Sequence, residues 1–303
     1  MNAPRTILLG VDLLPSGELT EGCRVAANAA KTIASDVGAQ VVLVHSTRKD
    51  EYWNPLKRGL VVVTEGVNET GRKAVESLAA EFREAGSECD TVFSEDKPYV
   101  AIAREAQRRN VDLVVAGKHN RAECDAEKLG NVAKRILHYC PCRVLVVGPN
   151  TTQKPSRILA ATDLTPVGEN AVQSGAWLAG HHNCDLHVVH AYRFSLEDQI
   201  DPSANDNERH EELRNAAREV IASELQGTGF EESAEVHIGF GAPDAVVQEA
   251  VATLKPDLVV LGTLSRGGIA GFLTGNTAER LLDRIPAAIL AVKPDDFESP
   301  VKL

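Results

Sequence analysis

Short, uninterrupted apolar runs recur along the chain. Longer amphipathic or alanine-rich stretches separate them. Val41-Val42-Leu43-Val44, Leu113-Val114-Val115 and Val144-Leu145-Val146-Val147 are such runs. Strands covered on both faces read this way, because neither side of a parallel sheet meets water. The intervening segments carry helix signals, among them the alanine-rich AANAAKTIA and the amphipathic VESLAAEFREAG, which stops at Gly86. The pattern predicts strands near 5–12, 40–46, 89–94, 112–116 and 143–147, with helices at 17–37, 66–86, 97–109 and 129–139. Farther on it predicts strands near 157–163, 185–191, 234–239, 257–261 and 288–292, with helices near 167–181, 206–226, 243–253 and 275–284. Five strands alternating with four helices, twice over, imply an α/β fold of open, doubly wound sheets, since right-handed crossovers place helices on both faces.

The second half repeats the first. The stretch from Val111 to Pro149 aligns without a gap on the stretch from Pro256 to Pro294. Asp112 falls on Asp257, Gly117 on Gly262, Gly130 on Gly275, Asn131 on Asn276 and Arg135 on Arg280. The same offset carries His45 to His190 and Pro98 to Pro243, while TILLGVD ending at Asp12 matches RILAATD ending at Asp163 at a slightly different one. So long a period means duplicated domains rather than a solenoid. The polar, proline-containing segment around 149–156 reads as a short linker, giving domains at 1–149 and 155–303.

Charge narrows the partners. The net charge is −11, with 20 basic and 20 acidic residues up to Asn150 and 12 basic against 23 acidic after it. The acidic second half repels phosphate backbones, which argues against nucleic acid and against anionic membranes as partners. No apolar run is long enough for a transmembrane helix, and the N-terminus does not read as a signal peptide. Six scattered cysteines suit reduced thiols in the cytoplasm, and Cys140-Pro-Cys142 lacks the spacing of a metal knuckle.

Ligands of doubly wound sheets sit beyond the carboxyl ends of the strands. Asp163 falls at one such end and Gly262 at another. Gly262 opens a loop of about a dozen residues, where such loops usually have two to six. Ser265, Gly267, Gly268, Ala270 and Gly271 make it small-residue-rich, and Arg266 adds a positive charge. Backbone N–H groups can approach an anion there, and the next helix offers its positive end. The sum describes a phosphate cradle.

Gly262-x2-Ser265-x9-Gly275-Asn276, with VVLGT before it and NTAERLL and ILAVKP after it, resembles the nucleotide loop of the universal stress protein family. The C-terminal tail resembles the two-domain E-type members of that family. The resemblance spans nearly the whole chain, once per half. It implies two tandem five-stranded parallel sheets of strand order 3-2-1-4-5, paired through their fifth strands as an intramolecular pseudo-dimer. It also implies an ATP site, with Mg²⁺, formed by Asp163, Val189 or His190, Gly262, Thr263, Ser265, Gly275, Asn276 and Thr277. Ser265 and Asn276 depart from the family's glycine and hydroxyl residue. The first copy keeps the spacing, as Gly117-x2-Asn120-x9-Gly130-Asn131, but places Glu123, Asp125 and Glu127 inside it. Each carboxylate opposes a triphosphate by up to about 1 kcal/mol when exposed. The second copy is therefore the expected ligand half and the first the supporting half.

Simpler readings stand beside these. Asp12 and Asp163 could cap the following turn. His45 and His190 could be satisfied structural histidines, since no local motif places a nucleophile beside either. His181-His182 lacks metal-ligand spacing, so no metal site is expected. No Walker A motif, nucleophile elbow or H-E-x-x-H is present, so no catalytic residue is assigned. The expected function is a stress-response or regulatory binding protein. Its expected partners are a small-molecule ligand and a protein of unidentified class, with homodimerisation left open. The alternatives are a weak ATPase or adenylate-handling enzyme, and a carrier of an apolar molecule under the long connectors, which hold Tyr52, Trp53 and Pro55 in one copy and residues 193–208 in the other.

Overall fold

The structure is a computed structural model. It describes residues 3–47, 64–118, 129–152, 154–194, 206–263, 282 and 284–303. The chain divides into two compact units, one of Lys154–Asp295 and one of Asn2–Gln153 together with Asp296–Leu303.

In the unit built on the N-terminal half, the elements run β1 (Thr6–Val11), α1 (Glu21–Val37), β2 (Gln40–Ser46), α2 (Thr64–Glu84), β3 (Cys89–Ser94), α3 (Pro98–Arg108), β4 (Leu113–Gly117), α4 (Asn131–Tyr139) and β5 (Arg143–Val147). The other unit holds β6 (Arg157–Thr162), α5 (Pro166–His182), β7 (Asp185–Tyr192), α6 (Asp206–Glu224), β8 (Glu235–Phe240), α7 (Pro243–Leu254), β9 (Leu258–Gly262) and β10 (Ala288–Val292). Of the helix expected near 275–284, only residues 282 and 284 are among those described. Strand order is β3-β2-β1-β4-β5 in one unit and β8-β7-β6-β9-β10 in the other, all parallel. The 3-2-1-4-5 order implied by the resemblance is thus present twice.

The apolar runs are the central strands. Ile7, Leu8, Leu9, Val41, Val42, Val114 and Val115 are wholly buried, as are Ile158, Leu159, Val188, Val259 and Val260. Each such side chain contributes roughly 1.5–3 kcal/mol by leaving water, which is why these runs tolerate no alternation. The repeated aspartate is structural in both copies. Asp112 Oδ2 accepts the Arg5 and Thr6 N–H groups at 2.8 and 3.0 Å, and Asp257 Oδ2 accepts those of Ser156 and Arg157 at 2.7 and 3.1 Å. Each satisfies backbone donors where the first strand of its copy begins.

The copies differ between their first strand and first helix. Residues 12–19 separate β1 from the α1 cap Thr20, whereas only 163 and 164 separate β6 from the α5 cap Thr165. In the first copy the extra chain forms a small loop closed by an antiparallel bridge between Leu13 and Leu19, with Gly17 at φ 86°. The helix expected from 17 therefore starts at Glu21, where the Thr20 hydroxyl accepts the Cys23 N–H. This insertion explains why the first strands align at an offset of their own.

The last residues leave the C-terminal half and pack with the N-terminal one. Ser299 Oγ donates to the Tyr139 carbonyl at 2.6 Å, Gln107 Nε2 to the Val301 carbonyl at 2.8 Å and Arg104 Nε to the Lys302 carbonyl at 3.0 Å.

Candidate functional site

The carboxyl ends of β6, β7 and β9 converge in the C-terminal unit, because β6 pairs with both neighbours in parallel. Asp163 follows β6 directly. It is exposed, and its Oδ1 accepts the N–H and hydroxyl of Thr165. This Asx turn puts a carboxylate at the positive end of α5, where the dipole favours it. The simpler capping reading is therefore present in the geometry, but it uses only one oxygen. The turn also requires Gly168, since a methyl there would sit 2.5 Å from Thr162 Oγ1 and 2.9 Å from the Asp163 backbone N.

His190, at the end of β7, is buried, and its Nδ1 lies 3.0 Å from the Thr162 carbonyl. A carbonyl only accepts, so Nδ1 donates, which leaves Nε2 as the ring nitrogen free to take a ligand. Val189 is buried on the opposite face of the strand and offers the site no polar side-chain atom. Gly262 ends β9 against the first turn of α5, with room for a methyl only 2.7 Å from Val167 Cγ1. Thr263 is fully buried, with its N–H and hydroxyl donated to the Val292 carbonyl at 3.1 and 3.2 Å. Its side chain ties β9 to β10 rather than facing the strand ends. Ser265, Arg266, Gly275, Asn276 and Thr277 lie outside the described residues, as do Asn120, Glu123, Asp125 and Glu127 of the first copy and the connector residues Tyr52, Trp53 and Pro55.

One polar residue of this region was not singled out from the sequence. Glu224, in the last turn of α6, is 4% exposed, and its Oε1 accepts the Thr162 hydroxyl at 2.9 Å. Its Oε2 is buried and finds no hydrogen-bond partner among the described residues. Burial pushes its carboxyl up to about 7; the Thr162 hydrogen bond opposes the rise, and the charges of Glu169 and Asp163 add to it. The sequence did carry a signal. Ala217, Ile221, Glu224 and Leu225 form one buried stripe of α6, and Gly71, Val75, Leu78 and Ala79 form the same stripe of α2. Glu224 stands where the first copy has a buried leucine.

The first copy keeps the histidine and loses the polar wall. His45 Nδ1 lies 3.0 Å from the Val11 carbonyl, as His190 does from Thr162. Asp12 is half-buried, and burial raises its carboxyl, opposed by the Thr20 hydrogen bond, the His45 charge and the Leu13 N–H. Lys118, 1% exposed, takes the place of Thr263.

Around the second copy's strand ends lies a ring cluster. Phe194 and Phe240 have centroids 5.1 Å apart, and His210 lies 4.6 Å from Phe194 and 4.7 Å from Phe240. Tyr192 hydroxyl and His210 Nδ1 are 2.7 Å apart. Phe240 is half exposed. The region therefore joins a carboxylate oxygen, an imidazole nitrogen and an accessible aromatic face. That set can hold a flat, polar-edged ligand, with a cation bridging to any anionic group.

The sequence pattern of the Universal stress protein family matches residues 4–148 and again 155–293. Among curated relatives, Universal stress protein E of Photorhabdus laumondii is 28% identical over 234 residues, spanning 73% of this chain and 74% of the relative. Universal stress protein E of Escherichia coli K12 is 28% identical over 223 residues, spanning 69% of each. Among solved structures, a functionally unknown protein from Pseudomonas aeruginosa PAO1 superposes with a TM-score of 0.71 at 23% identity, covering 97% of this chain and 94% of that one. A universal stress protein from Archaeoglobus fulgidus superposes with a TM-score of 0.68 at 18% identity, covering 97% and 99%.

Proposed function

From the premise that this chain belongs to the universal stress protein family, we propose that it is a cytoplasmic stress-response regulator that binds ATP, with Mg²⁺, at the carboxyl ends of β6, β7 and β9. The observation that supports this reading is the convergence of Asp163 and His190 beside Gly262, the residue that opens the glycine-rich loop. Asp163 keeps one carboxylate oxygen outside its turn, available to a ribose hydroxyl or a hydrated cation. His190 Nε2 accepts. Arg266 and the backbone of the loop from Ser265 to Thr277 cradle the phosphates, and Mg²⁺ offsets the carboxylates of Asp163 and Glu169. The first copy, with Glu123, Asp125 and Glu127 in its loop, is the supporting half. Labelled ATP with Mg²⁺ is expected to bind saturably to the full chain, and Gly275→Val is expected to remove that binding. Absence of binding at millimolar nucleotide would sink the proposal.

A second reading rests on the Tyr192, Phe194, His210 and Phe240 cluster, whose exposed ring suits an apolar ligand. Native mass spectrometry of freshly purified protein separates the two. Co-purified nucleotide supports the first reading, and a lipid-like mass supports the second.

A further inference from the structure

A second chemically organised cluster lies on another part of the C-terminal unit. β7 and β8 pair in parallel, with His187 opposite Glu235 and Val189 opposite His237. Side chains two apart on a strand share a face, so His187, Glu235 and His237 all project from the same side of this strand pair. Their polar atoms meet. His187 Nδ1 is 3.0 Å from His237 Nε2 and 3.4 Å from Glu235 Oε2, and His237 Nε2 is 4.0 Å from the same oxygen. The rings stack, with centroids 5.3 Å apart.

We propose that His187, Glu235 and His237 form a binding site for a divalent transition-metal ion of the zinc class. The point equidistant from the three atoms lies about 2 Å from each, against zinc–nitrogen and zinc–oxygen bonds of about 2.0–2.2 Å. At the corners of a tetrahedron such ligands stand about 3.3 Å apart, close to the separations seen. The one long edge involves Glu235, whose side chain is 69% exposed and can move. Two imidazoles and one carboxylate select zinc, cobalt, nickel or copper over magnesium or calcium, which prefer oxygen alone. Three protein ligands leave a fourth position for water, on the side where Glu235 is exposed and His237 half-buried.

His187 is 4% exposed, and burial lowers its pKa; Glu235 and Asp185 oppose the fall, while His237 and Arg157 add to it. Arg157 is the one cation among these groups; its Nη1 donates to the Leu254 carbonyl, while its Nε is buried without a partner among the described residues. Without a metal, the two rings share one N–H···N bond at 3.0 Å and Glu235, opposite His187 in register, pairs with that ring at 3.4 Å; metal titration separates the two arrangements. A metal here bridges β7 to the edge strand β8. It is independent of the nucleotide reading, since none of its three residues belongs to the strand-end set.

The test uses the full chain, stripped with chelator and titrated with Co²⁺, whose ligand-field absorption reports four-coordination, followed by displacement with Zn²⁺. One equivalent is expected to bind with a four-coordinate spectrum and to raise the unfolding temperature. His237→Ala and Glu235→Gln are each expected to weaken it by more than about 10–100-fold, the range for losing a supporting residue alone. Both positions lie on the edge strand, and circular dichroism checks that the variants fold. His181→Ala/His182→Ala, which removes the other adjacent imidazoles, is expected to leave binding intact. The proposal is overturned if the wild type takes up no metal, or if uptake survives undiminished in His237→Ala.

Discussion

At the end of β1 the first copy has buried Val11, and the buried stripe of α2 runs through Gly71, Val75, Leu78 and Ala79. At the end of β6 the second copy places Thr162 and Glu224 in the matching positions. Strand order and the histidine-to-carbonyl hydrogen bond are the same in both. The difference shows which features the fold needs and which are free to diverge. Backbone pairing and the histidine anchor stay. The polarity of the layer beneath the strand ends does not, and polarity there is costly unless something uses it.

The largest expected effect comes from exchanging that layer. A carboxyl raised from 4.5 to about 7 on folding means that the folded state binds the proton more tightly than the unfolded one. Its contribution to stability is therefore full below pH 4.5 and is lost as pH rises through about 7. The loss amounts to about 3 kcal/mol. Glu224→Leu, which restores the first copy's residue, is expected to flatten that dependence and to stabilise the C-terminal half above pH 7. Leu78→Glu is expected to cost the N-terminal half at least as much, because no Thr162 hydroxyl waits there. Urea unfolding of each variant from pH 4 to 8 measures both. A pH dependence between 4.5 and 7 that is the same in Glu224→Leu as in the wild type would sink the buried-carboxylate account.

The glycines that end β4 and β9 look alike in sequence, yet they are held by different neighbours. A methyl on Gly117 would lie 2.4 Å from the Gly22 carbonyl oxygen, and one on Gly262 would lie 2.7 Å from Val167 Cγ1. Backbone cannot step aside, while a side chain can repack in part. Gly117→Ala is expected to cost about 2–3 kcal/mol and Gly262→Ala about 1 kcal/mol. Equal denaturant midpoints for the two variants would show that both clashes relax equally.

These contrasts mark how far the sequence could be read. Strands were legible because burial on both faces leaves no polar interruption in runs such as Val41–Val44. The repeat was legible because Asp112 and Asp257 each answer the same unpaired backbone donors. The start of α1 was not, since the Leu13–Leu19 bridge is a pairing that helical periodicity does not encode. No local motif marks Glu224; its place in the apolar stripe emerges only when α2 and α6 are aligned on β3 and β8 rather than on the histidines. The His187, Glu235 and His237 triangle was hidden because two of its members are on one strand and the third on another, and only register brings them together. Asp163 and His190 both lie at strand ends, since position along a parallel strand fixes them. Thr263 was named beside them, but its hydroxyl is held by Val292, a partner that residue order does not reveal.

The C-terminal tail breaks the symmetry in another way. Its contacts with Gln107, Arg104 and Tyr139 give the N-terminal half three hydrogen bonds that the C-terminal half lacks. Each contributes about 0.5–1.5 kcal/mol when well shielded, and these are partly exposed. Removing residues 296–303 is expected to destabilise the N-terminal half by about 1–2 kcal/mol and to raise hydrogen exchange in α3. Exchange in α7, the matching helix, is expected to stay unchanged. Equal effects on both helices would mean that the tail does not belong to one half.

The smallest expected effect tests the functional asymmetry itself. Asp163 and Asp12 follow equivalent strands, but Asp163 is exposed while Asp12 is half-buried. In Asp163→Asn the amide oxygen can still accept from Thr165, so the turn and α5 cap survive while the charge is lost. If that charge faces a ribose hydroxyl or a hydrated Mg²⁺, nucleotide affinity should fall about fivefold, close to 1 kcal/mol. Asp12→Asn should leave affinity unchanged, because burial and the carboxylates of the first loop keep nucleotide away. Isothermal titration with ATP and Mg²⁺ reads both variants. An equal loss in the two would place ligand in both halves. A loss confined to Asp12→Asn would reverse the assignment of which copy binds.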